Sequence, residues 1–386
     1  MQIAPETLIV MALWAVLVLM VLLFVYQTLR KNRRAHVLTL ALAFGTVGLT
    51  LWSYRSLLPH WVSSNTAPLA NGIFYILMYM MIYLHFEQVS RLQPHLVRLA
   101  FMSALVGAGL ITSVVLLVVS DAPDFLVACN DFSHDAIRMA ALLFGFFVSV
   151  RNWRLLHERE SLVETIALLT LATGGIPTIL GNYARLREVG GLSVYELGDL
   201  VTFIGLVLLI GLYLSNPNYL YRVPTPLYRV IIYNSIGIAV YSRAIRTRGL
   251  EGLVVPDQLM SMSITAVSSV LSEGLQVDAQ LRLIDATRRV LLFEWKDDLS
   301  ALLICERATY FARRSLQMLL KSIPRNLYER LRTDAVKIDD RLTSELDALV
   351  QASFPYVVFL EEEDKFSRLE REDREPEVVV ETDDAE

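Results

Sequence analysis

Seven apolar stretches fill the first 220 residues, at about 7–29, 36–58, 66–88, 97–120, 133–154, 161–184 and 194–215. Each is long enough to cross a hydrocarbon core, which needs roughly 20 helical residues. Such segments leave the chain few alternatives to a bundle of membrane helices, because backbone exposed to lipid must satisfy its polar groups within each helix. The first stretch follows only Glu6 and precedes a basic cluster, so it reads as a retained span and not as a cleaved leader. Charge then divides the chain. Residues 1–220 carry 25 charged side chains and residues 221–386 carry 50, so a membrane part precedes a water-soluble part. That division excludes a secreted protein, a disordered protein and a simple one-domain enzyme. The net charge of −5 gives no reason to expect nucleic-acid binding.

Loop charges set the expected orientation. Arg30, Lys31, Arg33 and Arg34, then Arg91 and Arg98, then Arg151, Arg154 and Arg159 lie in the odd-numbered connections. Only Arg185 and Arg187 oppose them. Basic connections stay in the cytoplasm, so the N-terminus is expected outside and the soluble part inside, at the plasma membrane. Cys129 and Cys305 then fall on opposite sides and do not pair, and no metal-ligand spacing occurs.

Polar groups inside spans are costly and therefore informative. Arg55, Asn71, His134, Asp135, Arg138, Asn182, Tyr183, Glu196 and Asp199 all fall in the outer halves of their spans, from five helices. They form either an outward-facing pocket for an unknown small ligand or a belt at the headgroup boundary. Arg138 and Asp199, each about a turn inside its span, are the foremost pair, and Asp199 is expected to meet Arg138 or Arg55. His85, Glu87 and Glu164 read as interfacial. In the sixth span, Gly174, Gly175 and Pro177 predict a kink, which serves either as a hinge or as a static bend. No lysine occurs between Lys31 and Lys296, which excludes a retinal Schiff base in the spans. Asn216-Pro217-Asn218-Tyr219 reads as a helix stop.

Residues 221–226 form a short Pro-marked connector. Beyond it, β-branched and aromatic runs predict strands at 228–233, 236–241, 281–285, 290–295 and 299–305. Asp297-Asp298 supplies the last turn. Helices are expected from Pro256 to about Leu275, over Thr309–Lys321 up to a stop at Pro324, and over 339–353. The fold class is therefore an all-α membrane bundle of seven helices plus an α/β domain, 227–355, built on a five-stranded antiparallel sheet. The last segment, 356–386, is acidic and reads as a largely disordered tail. Arg313, Arg314, Arg325, Arg330 and Arg332 form either a basic face for lipid or an acidic partner, or a solvated helix face.

The stretches Ile236–Ser242, Met260–Ser272 and Val290–Glu306, in this order of elements, make residues 227–355 resemble the longin-like and roadblock-like α/β modules. The absence of a leading helix makes the likeness closer to longins. The resemblance implies a non-enzymatic platform that dimerises or binds a small GTPase or another trafficking or signalling protein. The membrane part is similar to the seven-span sensor regions fused to histidine kinases, but no kinase core follows. No phosphate-binding loop, nucleophile elbow or metal-binding pair of histidines occurs, so neither an enzyme nor a cofactor is expected. Three readings follow: a sensor passing ligand binding to a cytoplasmic partner, an anchor that only localises the module, and a carrier with a regulatory domain.

Overall fold

The computed structural model describes residues 5–31, 36–53, 66–119, 124–177, 179, 188–189, 192–216, 219, 222–234, 236–245, 266, 281–286, 289–332, 340–355 and 357–359. The chain is mostly helical, with a separate five-stranded antiparallel sheet. Helices α1 (Pro5–Lys31), α2 (His36–Ser53), α3 (Ala67–Ser90), α4 (Leu96–Val118), α5 (Asp124–Leu156) and α6 (Arg159–Thr173) come first. A small hairpin, β1 (Glu188–Val189) and β2 (Leu192–Ser193), leads into α7 (Val194–Ser215). Among the described residues, four helices are long and apolar enough to cross a membrane: Ala67–Ser90, Leu96–Val118, Asp124–Leu156 and Leu197–Ser215. Trp14–Tyr26 and His36–Leu51 are shorter apolar helices.

Helix α5 starts nine residues before the expected span. No proline or glycine interrupts Asp124–Ser133, and Asp124 suits the positive end of the helix dipole. Its 33 residues reach about 50 Å, well beyond a bilayer core of about 30 Å. Helices α1, α2, α3, α5, α6 and α7 touch in closed order, each its neighbour and α7 again α1, while α4 packs outside on α3 and α5. Exposed Val97, Phe101, Ile111 and Val118 on α4 suit a lipid-facing surface. Helices α6 and α7 approach until a Cβ on Gly205 would stand 3.0 Å from the backbone nitrogen of Leu171, so only glycine fits there.

The α/β part comprises β3 (Leu227–Asn234), β4 (Ala239–Ala244), β5 (Leu283–Ala286), β6 (Arg289–Lys296), β7 (Leu299–Cys305), α8 (Tyr310–Ser322), α9 (Arg325–Arg332) and α10 (Asp340–Ser353). The sheet order is β4-β3-β7-β6-β5, antiparallel throughout. Strand β7 is central and every residue of it is buried, as expected for a strand covered on both faces. Val230, Ile232, Leu292 and Leu303 face Leu316, Leu319, Leu331, Leu346 and Val350 of the helices. Ile231, Tyr233, Phe293 and Leu302 form the second face, also buried.

One expected boundary is corrected, and one helix is added. Strand β4 begins at Ala239 and not at Ile236, because Gly237 adopts φ 82° in a turn where Asn234 Oδ1 accepts from the Ile238 amide at 2.9 Å. Pro324 stops α8 but also opens α9, whose Tyr328 amide donates to the Pro324 carbonyl at 2.8 Å. Thr309 caps α8, its hydroxyl accepting from the Ala312 amide at 3.1 Å. The Asp297-Asp298 turn is as expected, with Asp297 at φ 50°. Of the expected helix from Pro256 to Leu275 only Ala266 is described, and it is helical; the acidic tail beyond 360 lies outside the described residues.

Candidate functional site

A cavity of about 310 Å³ runs between α1, α2, α3, α5, α6 and α7. That is the small end of ligand pockets, roughly 300–1,000 Å³. Along α3 it is lined from Tyr75 to Phe86, about 16 Å by helical rise, so it is elongated along the bundle. Its long wall is apolar, with Leu17, Leu42, Ile76, Leu142, Leu171 and Leu206 among the lining residues.

The end away from the α/β part is polar. Tyr75 and Tyr79 stand one helical turn apart on α3 with rings stacked at 6.5 Å. His134, Asp135 and Arg138 enter from α5, and Asp199 and Thr202 from α7. Spacings of three and four residues put each set on one helix face. Arg138 Nη2 donates to Thr202 Oγ1 at 3.0 Å, and that hydroxyl donates to the Gly198 carbonyl at 2.8 Å. The Arg138 Nε–H is buried and has no hydrogen-bond partner among the described residues. Asp199 and Arg138 both lie within electrostatic reach of Tyr75. Two glycines make room for this cluster. A Cβ on Gly72 would stand 2.3 Å from the His134 ring, and one on Gly174 would stand 2.5 Å from Thr202 Oγ1. His134 Nε2 is 3.4 Å from Ser113 Oγ, which donates to Asn130 Oδ1 at 2.7 Å and ties the ring to α4.

Of the residues singled out from the sequence, Asp135, Arg138 and Asp199 therefore line one cavity, together with His134. Asp199 is exposed at its mouth, and the hydrogen bond of Arg138 goes to Thr202, three residues further along α7. Asn71 lies one turn before Tyr75 and packs on α2, where a Cβ on Gly48 would meet its Oδ1 at 3.0 Å. Arg55, Asn182 and Tyr183 lie outside the described residues, as does the side chain of Glu196 in the first turn of α7. Gly174 keeps helical angles, φ −60° and ψ −19°, and the helical path continues through Gly175 to Pro177.

The other end of the cavity reaches His85 and Tyr213. His85, Glu87 and Glu164, read from the sequence as interfacial, are all buried within the protein. Glu87 accepts from Tyr83 Oη at 2.8 Å and from Arg98 at 2.9 and 3.2 Å. Glu164 accepts from Ser149 Oγ at 3.0 Å and from Tyr219 Oη at 2.8 Å. Glu160 accepts from Asn216, and Glu158 pairs with Arg222. The start of α6 thus grips the chain that leaves α7, and Val223, Thr225 and Leu227 are buried along that connector. His85 meets Phe311 of α8, and the Tyr310 amide donates to the Arg91 carbonyl at 3.2 Å.

The basic residues of the α/β part differ in their contacts. Arg313 pairs with Glu294 and Arg332 with Asp298, inside the domain. Arg314, Arg325 and Arg330 lie on the same two helices, α8 and α9. Tyr75, Tyr79, Thr202 and Tyr213 were not anticipated; the spacing of the two tyrosines in an apolar helix was the available signal. No group of three or more His, Cys, Asp or Glu able to hold a metal occurs among the described residues. No family model, curated protein or solved structure matches this chain.

Proposed function

We propose that this protein is a non-enzymatic membrane sensor that couples a ligand cavity among seven spans to a cytoplasmic, longin-like partner-binding module. One observation carries the reading. A single cavity touches the Asp135–Arg138–Asp199–Thr202 cluster at one end and His85 and Tyr213 at the other. His85 contacts α8, and Tyr213 lies beside Tyr219, just before the connector, with ring centroids 6.4 Å apart. A ligand that favours one arrangement of the cavity would therefore bias the surface that the α/β module presents. In this reading the polar end faces outward, the module faces the cytoplasm, and the module binds a small GTPase or another signalling partner or dimerises.

Leu142→Trp, which adds bulk to the cavity wall, tests coupling without knowledge of the ligand. Hydrogen exchange of Tyr310–Ser322 and of residues 222–227 is expected to change in the full-length protein in nanodiscs. Unchanged exchange in a correctly inserted variant would replace sensing with simple anchoring of the module.

A further inference from the structure

Four guanidinium groups gather where the helices meet the α/β part. Arg91 follows the last residue of α3, Arg98 is in the first turn of α4, Arg151 is near the end of α5, and Arg307 is in the β7–α8 loop. Arg151 lies within electrostatic reach of the other three and of Glu306. The β7–α8 loop is held there by the Tyr310–Arg91 backbone hydrogen bond and by Phe311 against His85. Among the described residues, two carboxylates pair with these cations. Glu87 is occupied by Arg98 and Tyr83, and Glu306 lies 3.9 Å from Arg307. Arg151 Nε is buried without a hydrogen-bond partner among the described residues. Arg151 is half-buried beside the exposed Arg91 and Arg307, so an anion with several oxygens can accept charge-assisted hydrogen bonds from these guanidinium groups while taking up the vacant Arg151 Nε–H.

We infer that Arg91, Arg151 and Arg307 form a binding site for a phosphate group at the junction of the helices and the α/β module. The site is separate from the cavity. Its placement at the depth of lipid phosphates rests on α3, α4 and α5 crossing the membrane, as their length and composition allow. Phosphate binding would clamp the β7–α8 loop onto the helix ends and so fix the docking of α8.

The test uses the full-length protein in phosphatidylcholine nanodiscs with and without phosphatidic acid, with retained lipid read by native mass spectrometry. Phosphatidic acid is expected to be retained over phosphatidylcholine. Arg151→Gln or Arg307→Gln should cut that retention about tenfold, equivalent to about 1.4 kcal/mol. The exposed Arg154→Gln should leave it unchanged, and Arg151→Lys should keep an intermediate share, which guards against misfolding of the glutamine variants. Inorganic phosphate added to pure phosphatidylcholine discs separates the sources. A thermal shift that needs Arg151 assigns the site to soluble phosphate compounds; selective lipid retention without such a shift assigns it to a headgroup. Equal lipid retention by wild type and both glutamine variants, with no Arg151-dependent shift, overturns the site. Failure to enter nanodiscs would overturn the membrane placement and the lipid source, and the phosphate shift in solution would then decide.

Discussion

The ring of His85 meets the ring of Phe311 edge-on, with centroids 6.0 Å apart and planes at 79°. His85 is 5% exposed and lines the cavity, whereas Phe311 is the second residue of α8. This pair is thus a direct contact between the cavity wall and the α/β module. Edge-to-face pairs contribute about 0.5–1.5 kcal/mol beyond their buried area. A double-mutant cycle of His85→Ala and Phe311→Ala should therefore give a coupling energy of about 1 kcal/mol, read from unfolding of the full-length protein. Each single variant should also speed hydrogen exchange at the start of α8.

Tyr219, between α7 and the connector, donates to Glu164 of α6 at 2.8 Å, and both are buried. Tyr219→Phe removes a donor from a buried carboxylate and should cost about 1–3 kcal/mol. Glu164→Gln keeps two hydrogen-bonding atoms in place and should cost less. Hydrogen exchange over residues 222–227 is expected to rise in Tyr219→Phe before the α/β module itself loosens. Equal loss of protection across both regions would show that the pair supports general stability and not the connector.

The features readable from the sequence were those set by period and by strong charge. Apolar length marked the helices, because backbone satisfaction in lipid allows few other forms. Asp135, Arg138 and Asp199 stood out because charge within an apolar helix is costly, and the structure brings them to one cavity. Strand β7 was legible from Leu299–Cys305, an uninterrupted apolar run suited to burial on both faces. Contacts between distant segments were not legible. Nothing local in Glu164 says that Tyr219, 55 residues away, completes it. Helix α9 was hidden because Pro324 serves both as an end and as a start. The cavity wall was hidden because a leucine facing a cavity has the same sequence signal as one facing lipid.

Phe293 and Trp295 lie on the same face of β6 but differ in burial. Phe293 is 0% exposed, whereas Trp295 is half-buried beyond the stretch of β6 that pairs with β5, with its indole N–H donating to the Leu281 carbonyl at 2.9 Å. Phe293→Ala should therefore cost about 3–5 kcal/mol, enough to unfold much of a marginally stable domain. Trp295→Ala should cost less. Urea unfolding of a fragment spanning 225–360 gives both values, and a larger loss for Trp295 would mean that the edge strand β5 holds the sheet more than its centre does.

Cys305 makes the stability of the α/β module depend on alkaline pH. Its side chain is 0% exposed on β7, and Sγ donates to the Arg307 carbonyl at 3.2 Å. Burial pushes the thiol up to about 12. An unfolded cysteine titrates near 8.5, so below that pH both states hold the proton and the buried thiol carries no penalty. Between about 8.5 and 12 only the unfolded chain releases it, and each pH unit in that window then costs about 1.4 kcal/mol of stability. The urea midpoint of the wild-type fragment should therefore fall more steeply between pH 8.5 and pH 10 than that of Cys305→Ala, with the two slopes alike between pH 7 and pH 8. The native thiol should also stay unlabelled by maleimide at pH 8 and react once urea unfolds the domain. Parallel slopes in the alkaline window, or rapid labelling of the folded protein, would mean that β7 opens readily at its C-terminal end, next to the loop that carries Arg307.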